Sequence, residues 1–469
     1  MPRVVFVDLL NNFYDQHGIY SLTAVLRQKG VDVHFIGERN FKKALDRIKK
    51  IKPDLLLYSA FSATIPVCCE FDKIAKNNLK VKSVIGGPGP TFDHKAIENS
   101  SIDAYCVGEG EFALVDFIEG GFRPAKNIFL NGEKAVCGFY PFVELDNLPF
   151  PDRDIVYSCD PTLKNTPSKQ FLSGRGCPYE CTYCFNHKFR NMFKDSGPEI
   201  RKKSVTYLLD EIRQVKSRYP LKNIVFNDDT FILDKKWFLK FCERFIKEIG
   251  LTYTCNIRAN LMNEEVAKAL SKSNCVGVNW SIESGNEFLR NVVLKRSMSR
   301  EQILKTAGLL RKYNIPNRIG NVIGLPGENF NQMLETLELN ISARPNLGLA
   351  NIFVPFPGLE LTKYAIEKGY YELKSNSVLP KDFFTKSVMN MSLSENKAIQ
   401  KLMCLFPIFV NFPGLFLNAY LRKIMFSFPR FLLRGVYEIF YTIKMMNLYA
   451  VKTSFFQKYR IAMRYIANL

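Results

Sequence analysis

Short apolar runs alternating with amphipathic stretches, in two successive arrays, constrain this chain more than any other feature. In the first array residues 4–7, 31–36, 54–58, 81–85 and 102–107 read as short buried strands. Between them Phe41, Ala44, Leu45, Ile48 and Ile51 recur at helical spacing, and Pro53 stops that helix. Strands separated by helices pair in parallel and are covered on both faces. Residues 1–135 are therefore expected to form a doubly wound, Rossmann-like α/β domain. The second array places strands at 169–173, 223–227, 252–257, 276–282, 317–323 and 347–354, with helical stretches such as 205–219, 235–249 and 300–313 between them. Six βα units over residues 167–370 predict a partial (β/α)6 barrel of the TIM type. Residues 136–166 are proline-rich and read as a linker, preceded by a hairpin signal at Asn131-Gly132 between 128–130 and 134–136. Residues 371–469 read as a helical tail.

The start of the chain does not read as a signal peptide, because the apolar run is short and contains Asp8. With twelve cysteines and no such signal, a reducing cytoplasm is the expected compartment, where grouped thiols hold metals more often than disulfides. The net charge of +20 is concentrated late: from residue 398 onward there are ten lysines and arginines against Glu438 alone. Residues 402–421 carry no charge, yet Pro407 and Pro413 should break a continuous span. Further on, aromatic and basic residues interleave, as in Phe428, Arg430, Phe431, Arg434, Tyr437, Phe440, Tyr441 and Lys444. Such a tail suits packing on the barrel or a peripheral place at a membrane surface. A solvated basic face without any partner remains the plain alternative.

In both arrays ligands are expected beyond the carboxyl ends of the strands. In the first, those ends carry Ser59 and Ser62, then Gly86-Gly87-Pro88, then Gly108-Glu109. In the second they carry the segment from Gly174 to Cys184, then Asp228-Asp229, Arg258, Glu283-Ser284-Gly285 and Gly324-Leu325-Pro326-Gly327. Cys177, Cys181 and Cys184 put three thiols within eight residues. Three cysteines cannot close a four-iron cubane, so one iron would stay open to a small molecule. A zinc site completed by His187 is the competing reading. The other cysteines (68, 69, 106, 137, 159, 242, 255, 275 and 404) show no second such spacing and read as packing residues.

The run Cys177-x-x-x-Cys181-x-Tyr183-Cys184 resembles the iron–sulfur motif of the radical S-adenosylmethionine superfamily, with an aromatic residue before the third cysteine. The resemblance spans residues 169–369. It implies a 4Fe–4S cluster on the three cysteines, whose open iron chelates S-adenosylmethionine and whose electron releases a 5′-deoxyadenosyl radical. By the same resemblance Tyr183, Asp228, Asp229, Arg258, Glu283, Ser284 and Gly324 are candidate contacts for S-adenosylmethionine. Asp228 could instead serve a helix N-terminus, Arg258 a surface ion pair, and Gly324 a plain turn.

The segments 84–88 and 107–111 are similar to the cobalamin-binding domain of one large radical subgroup. That likeness implies cobalamin contacts at Ser59, Ser62, Gly86, Gly87, Gly108 and Glu109. The subgroup's axial-histidine motif is incomplete, because Asp15-Gln16-His17 is followed by Tyr20 where glycine belongs. His17 is read as a helix-start residue and not as a cobalt ligand. Together the resemblances imply C-methylation of an unactivated carbon on a small, hydrophobic substrate, with an electron donor such as flavodoxin or ferredoxin. A cyclase or oxidoreductase acting on a tetrapyrrole or lipid is the second reading. A tRNA methylthiotransferase lacks its extra cysteines here, so nucleic acid is not expected as a partner; a non-catalytic sensor is the remaining alternative.

Overall fold

The structure is a computed structural model that describes residues 2–10, 14–133, 138–372 and 386–448. The chain forms two compact units, Met1–Gly176 with Lys188–Pro220, and Cys177–His187 with Leu221–Leu469.

The first unit is built on β1 (Arg3–Asp8), β2 (Asp32–Gly37), β3 (Leu55–Ser59), β4 (Lys82–Gly86), β5 (Ala104–Cys106) and β6 (Ile128–Leu130). Their order is β2-β1-β3-β4-β5-β6, and the first five run parallel. The order reverses at β1, which makes the β1/β3 boundary the switch point of a doubly wound sheet. The helix Phe41–Ile51 forms where its spacing predicted: Asn40 caps it by accepting from the Lys43 N–H, and Ala44, Leu45 and Ile48 are buried. These residues join Val5, Leu56, Phe71 and Ile85 in one core. β6 departs from the parallel expectation and pairs antiparallel with β5, Ala104 against Leu130. Gly132 adopts φ +84, as a hairpin turn requires, while the expected second arm at 134–136 lies outside the described residues. The linker stretch holds short helices, Asp154–Tyr157 and Pro161–Asn165. This unit also contains β7 (Ser168–Phe171) and a ribbon of β8 (Gly174–Arg175) against β9 (Arg201–Lys202).

The second unit carries β10 (Asn223–Phe226), β11 (Thr252–Asn256), β12 (Cys275–Glu283), β13 (Asn317–Ile323) and β14 (Leu347–Ile352), all parallel and in sequence order. Helices Lys235–Glu248, Glu264–Lys272, Arg300–Lys312 and Phe330–Ala343 connect them, each with a side-chain N-cap from Asp234, Asn263, Ser299 or Asn329. Side chains alternate along the strands: in β13 Asn317, Ile319, Asn321 and Ile323 are buried outward, while Arg318, Gly320 and Val322 take the other face.

The tail packs on this unit. The helix Leu393–Asn411 buries Leu402 through Val410 against Ile323, Leu337, Ala350 and Ile352. It passes through Pro407 and stops short of Pro413, so only the second proline ends a helix. The lost backbone hydrogen bond at Pro407 costs about 3 kcal/mol, a cost that this apolar burial offsets. No helix among the described residues is long and apolar enough to cross a membrane.

Candidate functional site

The loop bearing the three thiols is pinned within the second unit. Thr182 donates through Oγ1 to the Val293 carbonyl (2.8 Å), and its own carbonyl accepts from the Leu361 N–H (3.0 Å). Cys181 is buried, and Cys177 and Cys184 are half-buried. Burial raises the Cys177 thiol and pushes Cys184 up to about 11. Two guanidinium groups converge on the Cys181 sulfur, Arg258 Nη1 at 3.8 Å and Arg296 Nη1 at 3.7 Å. Arg258 also lies over the Tyr179 ring at 3.6 Å and donates to the Arg296 carbonyl. Arg296 donates to the Ser281 carbonyl (2.6 Å) and stands 3.9 Å from Glu283. The Nε atoms of both arginines are buried without a protein acceptor. Such orphaned cationic donors fit an electron-rich group that belongs between them. Among the described residues no three His, Cys, Asp or Glu side chains could hold a single metal ion. Zinc would need the three sulfurs around one ion, whereas a cubane gives each thiolate its own iron corner. His187 faces Glu360 at 3.7 Å.

Glu283 ends β12 in the left-handed region at φ +70, beside a register shift against β13. A non-glycine residue held there is strained, and its carboxylate accepts from the Tyr183 hydroxyl at 2.9 Å. Burial, reinforced by the Glu283 charge and opposed by Arg296, keeps the Tyr183 phenol protonated. Asp228 is buried and its carbonyl accepts from Asn256 Nδ2 (2.8 Å). The next helix, Lys235–Glu248, is capped by Asp234. Asp229, exposed at the same strand end, lines a cavity of about 460 Å³ together with Arg258 and Arg296.

Two further expected contacts lie in tight turns. Ser284 is fully buried, and its Oγ accepts from the Asn286 N–H at 3.3 Å. Gly324, at φ +73, packs against Ile399. Both follow from tight turns that the motif positions suggest but whose side-chain direction they do not. Arg296, by contrast, was not expected. It sits in an irregular loop whose neighbours Lys295 and Ser297 both have φ +50, and only its charge marked it.

At the carboxyl ends of the first sheet, Ser59 is exposed, and Ser62, Gly86 and Gly87 are half-buried. A Cβ on Gly87, which has φ +97, would come within 2.9 Å of the Ala60 carbonyl oxygen, so glycine is what lets these two turns meet backbone to backbone. The result is a shelf with little side-chain cover, which fits a broad, flat ligand. Gly108 and Glu109 are engaged in the fold: a Cβ on Gly108 would lie 2.5 Å from the Phe193 ring, and Glu109 receives Arg175 (2.8 Å) and Arg201 (2.6 Å). Burial would raise the Glu109 carboxyl, but the two guanidinium groups outweigh it and hold it below the ordinary range. His17 begins the helix His17–Gln28, and burial, with Arg153 nearby, pushes its pKa down to about 3. Of the remaining histidines, His34 lies 2.9 Å from Asp32 and His94 stacks on Tyr105.

Residues 171–339 match the Radical SAM superfamily, and residues 3–118 match the B12 binding domain. This chain is a radical SAM protein with an N-terminal B12-binding domain. An uncharacterized methyltransferase of Pyrococcus horikoshii is 28% identical to it over 74% of this chain and 78% of its own length. The anaerobic magnesium-protoporphyrin IX monomethyl ester cyclase of Rubrivivax gelatinosus is 25% identical over 67% of this chain, which spans 59% of that protein. In fold, the radical SAM protein resembles the S-adenosylmethionine methyltransferase TsrM of Kitasatospora setae, with a TM-score of 0.66 and 16% identity over 80% of this chain and 81% of that one.

Proposed function

We propose that this radical SAM protein is a cobalamin-dependent C-methyltransferase. The observation that carries the reading is the thiol loop with two guanidinium groups converging on the Cys181 sulfur, in a chain that also has a B12-binding domain. When bound, the 4Fe–4S cluster supplies the electron that opens S-adenosylmethionine, and cobalamin supplies the methyl group. Cys177, Cys181 and Cys184 would hold the cluster. Arg258 and Arg296 would balance the charge around it, and Asp229 and Glu283 would orient the polar groups of S-adenosylmethionine. Ser59, Ser62, Gly86 and Gly87 would seat cobalamin on exposed backbone, with Gly108 and Glu109 fixing the adjacent turn. No histidine is proposed for the lower face of cobalt, since His17 is buried and held neutral.

The eleven described cysteines are all free, which suits a reducing cytoplasm. The electron would come from an external donor such as flavodoxin or ferredoxin. The exposed apolar and basic side of the tail would make peripheral contact with an anionic membrane.

Anaerobically reconstituted protein with titanium(III) citrate, S-adenosylmethionine and hydroxocobalamin should yield 5′-deoxyadenosine, with S-adenosylhomocysteine appearing as the reduced cobalamin takes a methyl group from S-adenosylmethionine. Cys177→Ala with Cys181→Ala and Cys184→Ala should remove the absorption near 400 nm and all cleavage. Cleavage without S-adenosylhomocysteine would favour the cyclase-type reading, to which the Rubrivivax relative gives some support. A loaded cluster without any cleavage would sink both.

A further inference from the structure

The cavity in the second unit runs deeper than the thiol loop, and its lining is polar. Asn227, Asn256, Asn279, Asn351 and Arg318 line it, together with Tyr437 and Tyr441. The register sets Asn256 beside Asn279, and Asn279 beside Arg318, so three adjacent strands present one polar row. The side chains of Asn279 and Asn256 are joined by a hydrogen bond of 3.3 Å. The next inward layer along these strands is Ser281 with Gly320, whose Ser281 carbonyl is the one that Arg296 engages. Two residues along a strand span about 7 Å, which puts Arg318 one layer below the arginines at the thiols. Among the described residues Arg318 makes no ion pair and no hydrogen bond to a protein acceptor.

Asp229 is the one carboxylate among the described residues of the lining and makes no ion pair with Arg318, so this cation beside a row of amides is arranged for an anion. A carboxylate or phosphate takes a guanidinium in two parallel hydrogen bonds. An apolar ligand would leave the half-buried Arg318 guanidinium facing it without an acceptor. From the opposite wall the Tyr437 and Tyr441 rings, stacked at 5.8 Å and 11°, close the space from the helix Arg430–Leu448.

Resting on the methyltransferase reading, we infer that the molecule to be methylated is a small anion whose carboxylate or phosphate is anchored by Arg318, with Asn256, Asn279 and Asn351 bonding its polar body. Arg318 is thus a specificity-determining residue, and the hydrophobic substrate expected from the sequence gives way to a charged one. The apolar surface of the tail is a separate feature from this cavity.

The test uses the cluster-loaded full chain, with inorganic phosphate and acetate as probes against chloride at equal ionic strength. Wild-type protein should melt about 3 °C higher in one of the two anions at tens of millimolar. The anion with the larger shift identifies the anchored group. Arg318→Gln should lose most of that shift, Arg318→Lys should keep part of it, and both should bind S-adenosylmethionine within twofold of wild type. Equal shifts in wild type and Arg318→Gln would place the anion elsewhere on this basic chain and overturn the inference. So would a tenfold loss of S-adenosylmethionine affinity in Arg318→Gln, which would give Arg318 to the cofactor. Neither result depends on turnover, so failure here is distinct from failure of the methyltransferase reading.

Discussion

The two units treat their interior arginines differently, although Arg244 with Glu248 and Arg434 with Glu438 form ion pairs on helices of the second. In the first, Arg153 faces Asp15 at 3.2 Å and Glu211 at 3.9 Å, Arg175 joins Glu109 and Glu111, and Arg201 reaches Glu109. In the second, Arg290 spends its donors on the carbonyls of Ser284, Gly285 and Met298, and Arg258 and Arg296 face sulfur and carbonyl oxygen. Arg318 faces open volume. Closed cation–carboxylate pairs hold a scaffold together, whereas a cation that faces open volume is arranged to receive an anion.

The largest effect that would sharpen this contrast is on stability. Arg153→Ala strands the buried Asp15, whose carboxylate also accepts from Tyr157 (2.6 Å) and the Gln170 N–H (2.7 Å). Removing one partner of a buried pair costs about 3–5 kcal/mol, readable from urea unfolding. Arg296→Ala leaves no carboxylate as deeply committed, since Glu283 keeps its Tyr183 hydrogen bond. Its stability should change by about 1 kcal/mol, while S-adenosylmethionine binding falls at least tenfold. Equal destabilisation by the two variants would break the comparison.

A second, smaller effect is the pH response, which should have opposite sign in the two units. Burial, aided by Arg153, holds His17 neutral down to about pH 3. As pH falls from 6.5 towards 3 the unfolded chain takes up a proton that the folded chain refuses, so the first unit loses stability in acid. Asp15 and Glu109, both held below the carboxylate range against the effect of burial, add to that loss at lower pH. Burial pushes Glu328 up to about 8. Between 4.5 and 8 the folded chain keeps a proton that the unfolded chain releases. That contribution is full below pH 4.5 and disappears as pH rises through 8, by up to a few kcal/mol. Both tryptophans, Trp237 and Trp280, lie in the second unit, so their emission follows it alone while circular dichroism follows both. Glu328→Gln should flatten the alkaline loss seen in tryptophan emission, and His17→Gln the acid loss seen in circular dichroism. A tryptophan midpoint that does not move between pH 5 and pH 8.5 would rule out the Glu328 part.

Much of this contrast was legible in the sequence, though unevenly. Strand positions followed from hydrophobic period, and β13 appears at the predicted Asn317–Ile323. The polar row was not marked in the sequence, since β11 and β13 carry other polar residues such as Thr252, Thr254, Asn317 and Asn321, and pairing register was needed to bring Asn256, Asn279 and Arg318 side by side. Motif position located Ser284 and Gly324 at strand ends without revealing that one turns inward and the other meets Ile399. Glu109 fell at a ligand-facing turn, yet its arginine partners lie 66 and 92 residues away in sequence, beyond any local pattern.

The smallest expected effect concerns the outer face of the tail, where cations stand beside apolar side chains. On the helix Arg430–Leu448, Leu432, Val436, Ile439 and Ile443 form one stripe, 47 to 65% exposed, while Leu433 and Tyr437 hold the opposite side on the unit. Arg422, Lys423 and Arg430 precede or begin that stripe. An apolar stripe with basic neighbours partitions into an anionic interface through both burial and charge. The full chain should pellet with phosphatidylserine-containing vesicles, less with phosphatidylcholine alone, and less again at high salt. Ile439→Asp with Ile443→Asp should reduce binding about tenfold, because two side chains no longer enter the acyl boundary, and should leave S-adenosylmethionine cleavage unchanged. Vesicle binding that survives the double substitution but vanishes in salt would reduce the tail to a charged face. The contrast between closed and open cations would then apply to the barrel cavity alone.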